Sequence, residues 1–585
     1  MADPQEVLAE RVGAAITAAF GAEQAGADPL IRPSAFADFQ SNAALPLAKR
    51  LRRGSRDIAA EISRHLDLTG VAEPAEISGP GFVNLTLTTE WIAAQAAAQL
   101  ADPRLGARAA DPPQVVVVEY SSPNIAKEMH VGHLRTTIVG DALARILEFD
   151  GHHVIRDNHV GDWGTPFGML IEHLLDSGED SAEADLLRSD PNSFYQAARR
   201  KFESDPGFAE RSRQRVVKLQ RGDGDTMRLW QHLVDLSRDY LHRIYGQLGV
   251  TLTDADIRGE SFYHSMLADV CDELEASGVA VISDGALCAF PPGFTGRDGE
   301  PLPVIIRKSD GGYGYSTSDL ATVRYRVRDL HADRAIYVVG AAQALHFRMI
   351  FAVARQAGWI PPGARFEHAQ IGNVLGTDGK MLRTRAGDTI KLSELLRESV
   401  ERAGHVFDEL GSSELGARER EEIAQAVGIG AVKYADLSTA LDSEYVFDLD
   451  RMISFKGNTG PYLQYATARI RSIFRKAGLD PDQVAGGPLA GTSLRITEDA
   501  ERALALTLLR FGPVVRQAGQ TSRPHVLASF LFDAASAFTT FYEQCPVLKA
   551  ADESVRESRL ALSALTLRVL TTGLGLLGVP VPARM

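Results

Sequence analysis

Cysteine is nearly missing: Cys271, Cys288 and Cys545 are the whole complement in 585 residues, and they stand far apart. That excludes a disulfide framework and any Cys-x-x-Cys zinc site, so no structural metal is expected. The opening Met-Ala-Asp-Pro-Gln-Glu lacks a basic stretch followed by an apolar one. A secretory leader is therefore not expected, and the cytoplasm is the default compartment. Uninterrupted apolar runs are also lacking. The Leu- and Ala-rich tail from Leu560 is broken by Arg568, Gly573 and Gly575, which argues against a membrane span. Positive charge is in deficit, with a formal net charge of -14, but the deficit is uneven. From Val446 to Met585 there are 16 Lys and Arg against 12 Asp and Glu, a balance of +4, which leaves -18 for the rest. A basic C-terminal region permits local contact with phosphates, and an ordinary solvated surface accounts for it equally well.

What is present suffices for several cores: 45% of the chain is hydrophobic, and roughly two to four domains are expected. Asp3 can cap a first helix, Pro4 fits its first position, Glu6 has capping-box spacing, and Leu8, Val12, Ile16 and Phe20 recur every four residues. Further helical signal runs from Asn42 to Leu66, and Ile77 to Leu87 reads as a turn and an alternating strand. This small α+β unit, residues 1–110, ends in the linker Ala109-Ala-Asp-Pro-Pro113.

From Val115 the pattern changes to strands alternating with helices. Val115 to Val118 reads as a buried strand that breaks at Ser121, Ser122 and Pro123 into a polar loop, and a helix starts near His133. Leu134, Ile138, Ala142, Leu143, Ile146 and Leu147 form its apolar stripe, and a strand follows around Val154 and Ile155. Right-handed crossover puts the loop at the strand's C-terminal edge, where open parallel sheets bind ligands. The polar loop Asn158-His-Val-Gly-Asp-Trp-Gly-Thr165 belongs to the same edge. A charged helical insertion is expected at about 172–250. Strand signals then resume at Val304 to Arg307, Ala335 to Val339 and Phe366 to Ile371, so the sheet is expected to continue through all three. The strand-and-helix unit spans 111–390, and residues 391–585 read as linking helices and an α-helical bundle, helical from Asp388 to the end.

Chemistry concentrates at that edge. His130 and His133 bracket Gly132, with Lys127 three residues before. At a helix N-terminus this gathers imidazole N–H groups, an ammonium and unpaired backbone donors, a combination suited to phosphate oxygens. Tyr315 and Asp319 open a helix, Gln343 and His346 follow one strand, and Gly379-Lys-Met-Leu-Arg-Thr-Arg385 follows another. Singly, each has an ordinary reading as a loop residue, a helix-end charge or a solvated basic stretch. Together they fill one edge with carboxylate, amide, hydroxyl and cationic groups.

The pairing of His130-Val-Gly-His133 with Lys380-Met-Leu-Arg-Thr384 resembles the two signatures of class I aminoacyl-tRNA synthetases. Ser122 through Arg135, Gly259-Glu-Ser-Phe-Tyr263, Tyr315 through Asp319 and Gly457-Asn-Thr-Gly-Pro-Tyr-Leu-Gln-Tyr465 resemble the arginyl-tRNA synthetase family in particular, and the likeness covers nearly the whole chain. The resemblance implies a Rossmann-like catalytic domain with an insertion, a small N-terminal α+β domain and a C-terminal helical bundle. It implies activation of L-arginine with ATP, accompanied by Mg2+, then transfer to the 3′ end of tRNA by a monomeric enzyme. By the same resemblance Glu119, Glu260, Asp319 and Tyr315 line the arginine site, and Asn124 and Gln343 hold the amino-acid backbone. His130, Gly132, His133, His346, Lys380 and Met381 face ATP. The catalytic set is Lys127, His130, His133, Lys380 and Arg383. Arg383 stands where the class has a second lysine, and Leu382 where it has a serine; the family's use of the lysine before the first signature implies that Lys127 compensates. Tyr462, Tyr465 and Arg469, joined by Tyr542 and Met585, are implied at the anticodon, and Phe82 and Asn84 at the outer corner of the tRNA. Two alternatives stay open: a small-molecule adenylyltransferase of the same fold, and an inactive RNA-binding paralogue.

Overall fold

The computed structural model describes residues 3–125, 127–296, 298–382, 390–409, 416–484, 489, 491–550 and 552–585. Its centre is a four-stranded sheet in the order Arg365–Ile371, Arg334–Gly340, Val115–Glu119, His153–Asp157, parallel at every pairing. Val116, Val117 and Val118 are fully buried, as expected of a β-branched run covered on both faces. The chain leaves the central strand through the helix Val131–Phe149 to His153–Asp157 on one side, and returns on the other side as Arg334–Gly340. The strand order reverses there, which opens a crevice at the C-terminal ends.

In the N-terminal unit Asp3 accepts from the Gln5 N–H at 2.9 Å and Pro4 opens the helix Pro4–Phe20, as expected. Glu6 does not complete a capping box. Its carboxylate instead reaches Arg108 and Arg516, each at 3.0 Å, and so ties this unit to the linker and the C-terminal bundle. Helices Ala44–Leu51 and Ser55–His65 pack with an antiparallel sheet in the order Ile31–Pro33, Phe39–Ser41, Phe82–Leu85, Glu76–Ser78.

The insertion consists of the helices Thr165–Ser177, Ala182–Ser189, Pro191–Ser204, Pro206–Gln220 and Gly224–Leu248. The expectation that Val304 to Arg307 continues the parallel sheet is wrong. That segment joins Ala280–Ser283 and Ala286–Ala289 in a separate antiparallel sheet. The physical reason lies in its alternation: Val304 and Ile306 are buried while Ile305 is 49% exposed. One wet face suits an antiparallel sheet, whereas a central parallel strand is covered on both faces.

Beyond the sheet come helices Leu392–Glu409 and Ala417–Leu437, then a bundle of Gly460–Lys476, Asp499–Leu508, Phe511–Thr521, Pro524–Gln544 and Glu553–Leu576. The expected helical run from Asp388 is interrupted by Tyr445–Val446, a short strand parallel to Val374–Leu375. The helix Glu553–Leu576 is long and apolar enough to cross a membrane, but 78% of its apolar window is buried within the protein.

Candidate active site and nucleic-acid interface

After the central strand the backbone turns through Ser121 and Ser122, at φ of 69° and 46°. Non-glycine residues in the left-handed region are strained by about 1–3 kcal/mol each and persist only where neighbours hold them. Ser121 Oγ lies 2.7 Å from Tyr245 Oη and accepts from Thr137 Oγ1 at 3.0 Å, while the Ser122 N–H donates to Asn158 Oδ1 at 3.0 Å. Asn124 then pairs with Gly161 in the loop behind the neighbouring strand. A Cβ on Gly161 would lie 2.3 Å from Asn124 Oδ1, so this glycine is what admits the asparagine.

The helix Val131–Phe149 starts earlier than expected because His130 caps it. His130 Nδ1 accepts from the Gly132 N–H at 3.0 Å, and His133 Nδ1 accepts from the His130 N–H at 3.1 Å. The Val131 N–H donates to Ile390 O and the His133 N–H to His130 O. Unpaired backbone donors are therefore not what this terminus offers a phosphate, contrary to expectation: its first three N–H groups are already engaged. The imidazole edges take their place. A neutral ring whose Nδ1 accepts carries its proton on Nε2, one outward donor per ring. Burial favours that neutral form, pushing His133 down to about 3, with the charges of His130 and Lys127 adding to the effect; His130 is lowered by burial and then by Lys127.

Beneath the loop Glu119 and Asp157 are register partners on adjacent strands, and the buried Arg326 reaches Glu119 Oε2 at 2.6 Å and Asp157 Oδ2 at 3.0 Å. One oxygen of Glu119 thus belongs to an internal guanidinium. Burial still raises the Glu119 carboxyl, with Arg326 and then His159 opposing the rise. Glu260 opens the helix Glu260–Tyr263. Burial raises its carboxyl too, eased by His159 and reinforced by Asp162 and Asp319; the Glu260 N–H donates to Val160 O at 3.1 Å, which sets it beside the loop of His159 and Asp162. Asp319 Oδ2 lies 2.5 Å from His346 Nε2, and the 72% exposed Tyr315 lies against the same imidazole, ring centroids 4.9 Å apart. Asp319, Tyr315 and His346 therefore come together, with Glu260 on a helix packed against that of Asp319 and Tyr315, so that His346, expected at ATP, stands with two residues expected at arginine. Gln343 is exposed on the Ala341–Gln343 turn just before it.

Three contributors escaped the sequence reading. His159 and Asp162 lie in the glycine-rich loop that was visible as polar, and Asp162 accepts from Ser261 N at 2.8 Å and Ser261 Oγ at 2.6 Å. Arg326, inside the helix Tyr315–Arg328, leaves no signal in the sequence.

The second signature rises from the Val374–Leu375 strand. The Gly376 N–H donates to Lys380 O at 2.7 Å, the Lys380 N–H to Asp378 Oδ1 at 3.1 Å, and the Leu382 N–H to Val374 O at 3.1 Å. Lys380 is exposed, as is Met381 at 52%. Arg383, with Thr384 and Arg385, lies outside the described residues. From Ile390 the main chain is bonded to the first signature: besides the bond to Ile390, the Leu392 N–H donates to Met129 O at 2.9 Å, and Lys391 Nζ lies 2.7 Å from Glu128 and 3.5 Å from Asp190.

In the bundle an open groove of about 650 Å³ is lined by Tyr465, Arg469, Arg475, Tyr542, Lys549 and Met585. The Arg469 guanidinium lies 4.2 Å over the Tyr542 ring, and Tyr465 is 46% exposed. Tyr462 does not line this groove. Seven residues put it roughly 10 Å along the axis from Arg469, where its hydroxyl lies 3.2 Å from Thr539 Oγ1 and its ring packs on Phe532. In the N-terminal unit Phe82 is half-buried, and the buried Asn84 donates to Ser78 Oγ at 3.1 Å and leaves its Oδ1 without a protein partner.

Three family profiles match the chain: "Arginyl tRNA synthetase N terminal domain" over residues 6–87, "tRNA synthetases class I (R), catalytic domain" over 95–449, and "DALR anticodon binding domain" over 463–585. An arginine–tRNA ligase of Thermobifida fusca is 63% identical over 585 residues, with all of both chains covered. One from Frankia casuarinae is 52% identical, with 96% of each chain covered. Among solved structures, arginyl-tRNA synthetase of Plasmodium falciparum superposes with a TM-score of 0.85 at 28% identity, covering 100% of both chains. The Thermus thermophilus counterpart gives 0.81 at 26% identity, covering 99% of this chain and 100% of its own.

Proposed function

The chain belongs to the arginyl-tRNA synthetase family of class I enzymes, and from that premise we infer that it activates L-arginine with ATP and passes the arginyl group to tRNA. The observation that carries the residue-level reading is the contact of Asp319 and Tyr315 with His346, with Glu260 on the helix packed against theirs, at the sheet edge that also holds the two capping histidines. The alternatives, a small-molecule adenylyltransferase and an inactive RNA-binding paralogue, are not favoured beside 63% identity to an arginine–tRNA ligase over the full chain.

The amino acid brings its own nucleophile. Its carboxylate attacks the α-phosphate of ATP, pyrophosphate leaves, and the tRNA 3′ hydroxyl then attacks the acyl adenylate, releasing AMP. The protein's part is positioning and charge. Glu260 and Asp319 are assigned to the guanidinium, which a planar, always-charged group requires of acids set for bidentate contact. Tyr315 packs beside it, Asn124 and Gln343 take the amino-acid backbone, and Glu119, half committed to Arg326, completes the floor. His130 and His133 donate Nε2–H to phosphate oxygens over Gly132, while Lys127, Lys380 and Arg383 neutralise charge on the departing pyrophosphate, with Met381 beside the nucleotide. Magnesium, as the family implies, is assigned to the ATP substrate complex.

Residues 391–585 are assigned to the anticodon side, with Tyr465, Arg469, Tyr542 and Met585 around the groove and Tyr462 supporting it from the neighbouring turn. Residues 1–110 are assigned to the outer corner of the tRNA through Phe82 and Asn84, an aromatic that stacks beside an amide. The setting proposed is cytoplasmic and monomeric. Arginine-dependent ATP–pyrophosphate exchange, run with and without tRNA, tests the reading. Exchange is expected with both present, and its absence under every condition would overturn the assignment.

A further inference from the structure

The helical insertion holds the loop before His130 residue by residue. Tyr245, near the end of the helix Gly224–Leu248, meets Ser121 at 2.7 Å and accepts from Asn158 Nδ2 at 3.0 Å. Tyr240 of the same helix accepts the Met129 N–H at 3.0 Å. Asp190, which caps the helix Pro191–Ser204, reaches Glu128 through Lys391. On that helix Tyr195, only 6% exposed, lies with its ring 4.3 Å from the Lys127 ammonium. An ammonium over an aromatic face is attracted by the ring quadrupole, and more strongly where water is excluded. Lys127 stands three residues before His130, the cap of the helix Val131–Phe149, and its charge helps to lower both imidazoles. Its long, flexible stem would otherwise sample many rotamers and leave that charge dispersed.

We propose that Tyr195 is a positioning residue: the insertion uses the face of its ring to hold the Lys127 ammonium beside the capping histidines, where ATP phosphates bind. This rests on the reading of Lys127 as an ATP-site cation. It gives the insertion a part in amino-acid activation separate from any contact with tRNA. The hydroxyl is not required, whereas the electron-rich face is.

The test is ATP–pyrophosphate exchange by the full-length enzyme with tRNA present. Tyr195→Phe should keep the rate within about twofold, and Tyr195→Leu should slow it about tenfold, with most of the change in kcat and little in KM for arginine. Replacing Tyr195 by phenylalanine and then by its mono-, di- and trifluorinated analogues keeps the shape while draining the ring face, so the series avoids the folding defect a buried Tyr195→Leu could bring. The rate should fall stepwise along it. In a Lys127→Ala background the same series should be flat. A flat series with Lys127 present, or an equal fall with Lys127 removed, overturns the positioning role while leaving the ligase reading intact. Absence of exchange by the unmodified enzyme would instead overturn that reading, and this inference with it.

Discussion

At the catalytic edge several buried ionisable groups already have internal partners, whereas the groove of the C-terminal bundle turns its side chains to open water. Arg326 holds Glu119 and Asp157, His346 holds Asp319, and the two histidines cap one helix. In the groove Arg469 lies over Tyr542 and Tyr465 is nearly half exposed. The difference follows the ligands assigned to each. A small substrate of fixed charge needs carboxylates kept ionised and aimed in a low dielectric, and internal partners do that until the substrate displaces them. A polyanion presents many weak contacts, and aromatic faces with mobile cations suit unpaired bases of varied orientation.

Breaking the acid pocket should have the largest effect. Asp319→Asn or Glu260→Gln removes a charge-assisted contact to the guanidinium and is expected to lower kcat/KM for arginine by about a thousandfold, or ~4 kcal/mol, with KM for ATP little changed. Initial exchange rates with each substrate titrated in turn separate the two. An equal loss for ATP would mean the pocket is not divided as assigned. Next in size is Lys127→Ala, expected to slow activation by about 2 kcal/mol or more, the scale of one lost transition-state donor. An unchanged single-turnover rate of adenylate formation would remove Lys127 from the chemistry and sharpen the role of Lys380.

How much of this could be read from residues alone varies with the kind of signal. The Val115–Val118 run announced a doubly covered strand and His130-Val-Gly-His133 the turn after it, since local pattern dictates both. Val304–Arg307 was assigned to the wrong sheet because its pairing partner depends on a hairpin, Ala280–Ala289, that propensity alone does not reveal. The engagement of the helix N–H groups was invisible for a similar reason: the acceptor for Val131, Ile390, is remote in sequence. Arg326 shows the limit most plainly. A charged residue within a helix reads as surface, and only the tertiary approach of Glu119 and Asp157 makes it an internal counter-ion.

On the groove side the expected effect is smaller and of another kind. Tyr465→Ala or Arg469→Ala should weaken tRNA binding by about 2 kcal/mol, in the range of one lost base-stacking platform. Filter binding against salt concentration sharpens the contrast. The Arg469 variant should show a shallower salt dependence than the parent enzyme, and the Asp319 variant an unchanged one. A salt slope that moved with Asp319 would show that the two regions are not independent.

The smallest effect tests whether the catalytic edge is held neutral at the histidines. His133 is pushed down to about 3 by burial, so the folded state resists a proton that the unfolded chain accepts near pH 6.5. A group whose folded pKa is depressed in this way contributes stability above the unfolded pKa and loses it as pH falls towards the folded one. The loss approaches about 1.4 kcal/mol per pH unit for a single proton. His133→Asn keeps a side-chain acceptor for the His130 N–H but does not titrate. The difference in urea-unfolding free energy between parent and variant cancels every group they share. It should be flat above pH 7 and turn against the parent on going from pH 6.5 to 5. If the two proteins lose stability in parallel over that interval, His133 is already protonated in the folded enzyme. Its Nδ1 could not then accept the backbone N–H, and the cap that aims its Nε2 at the phosphate would have to be abandoned.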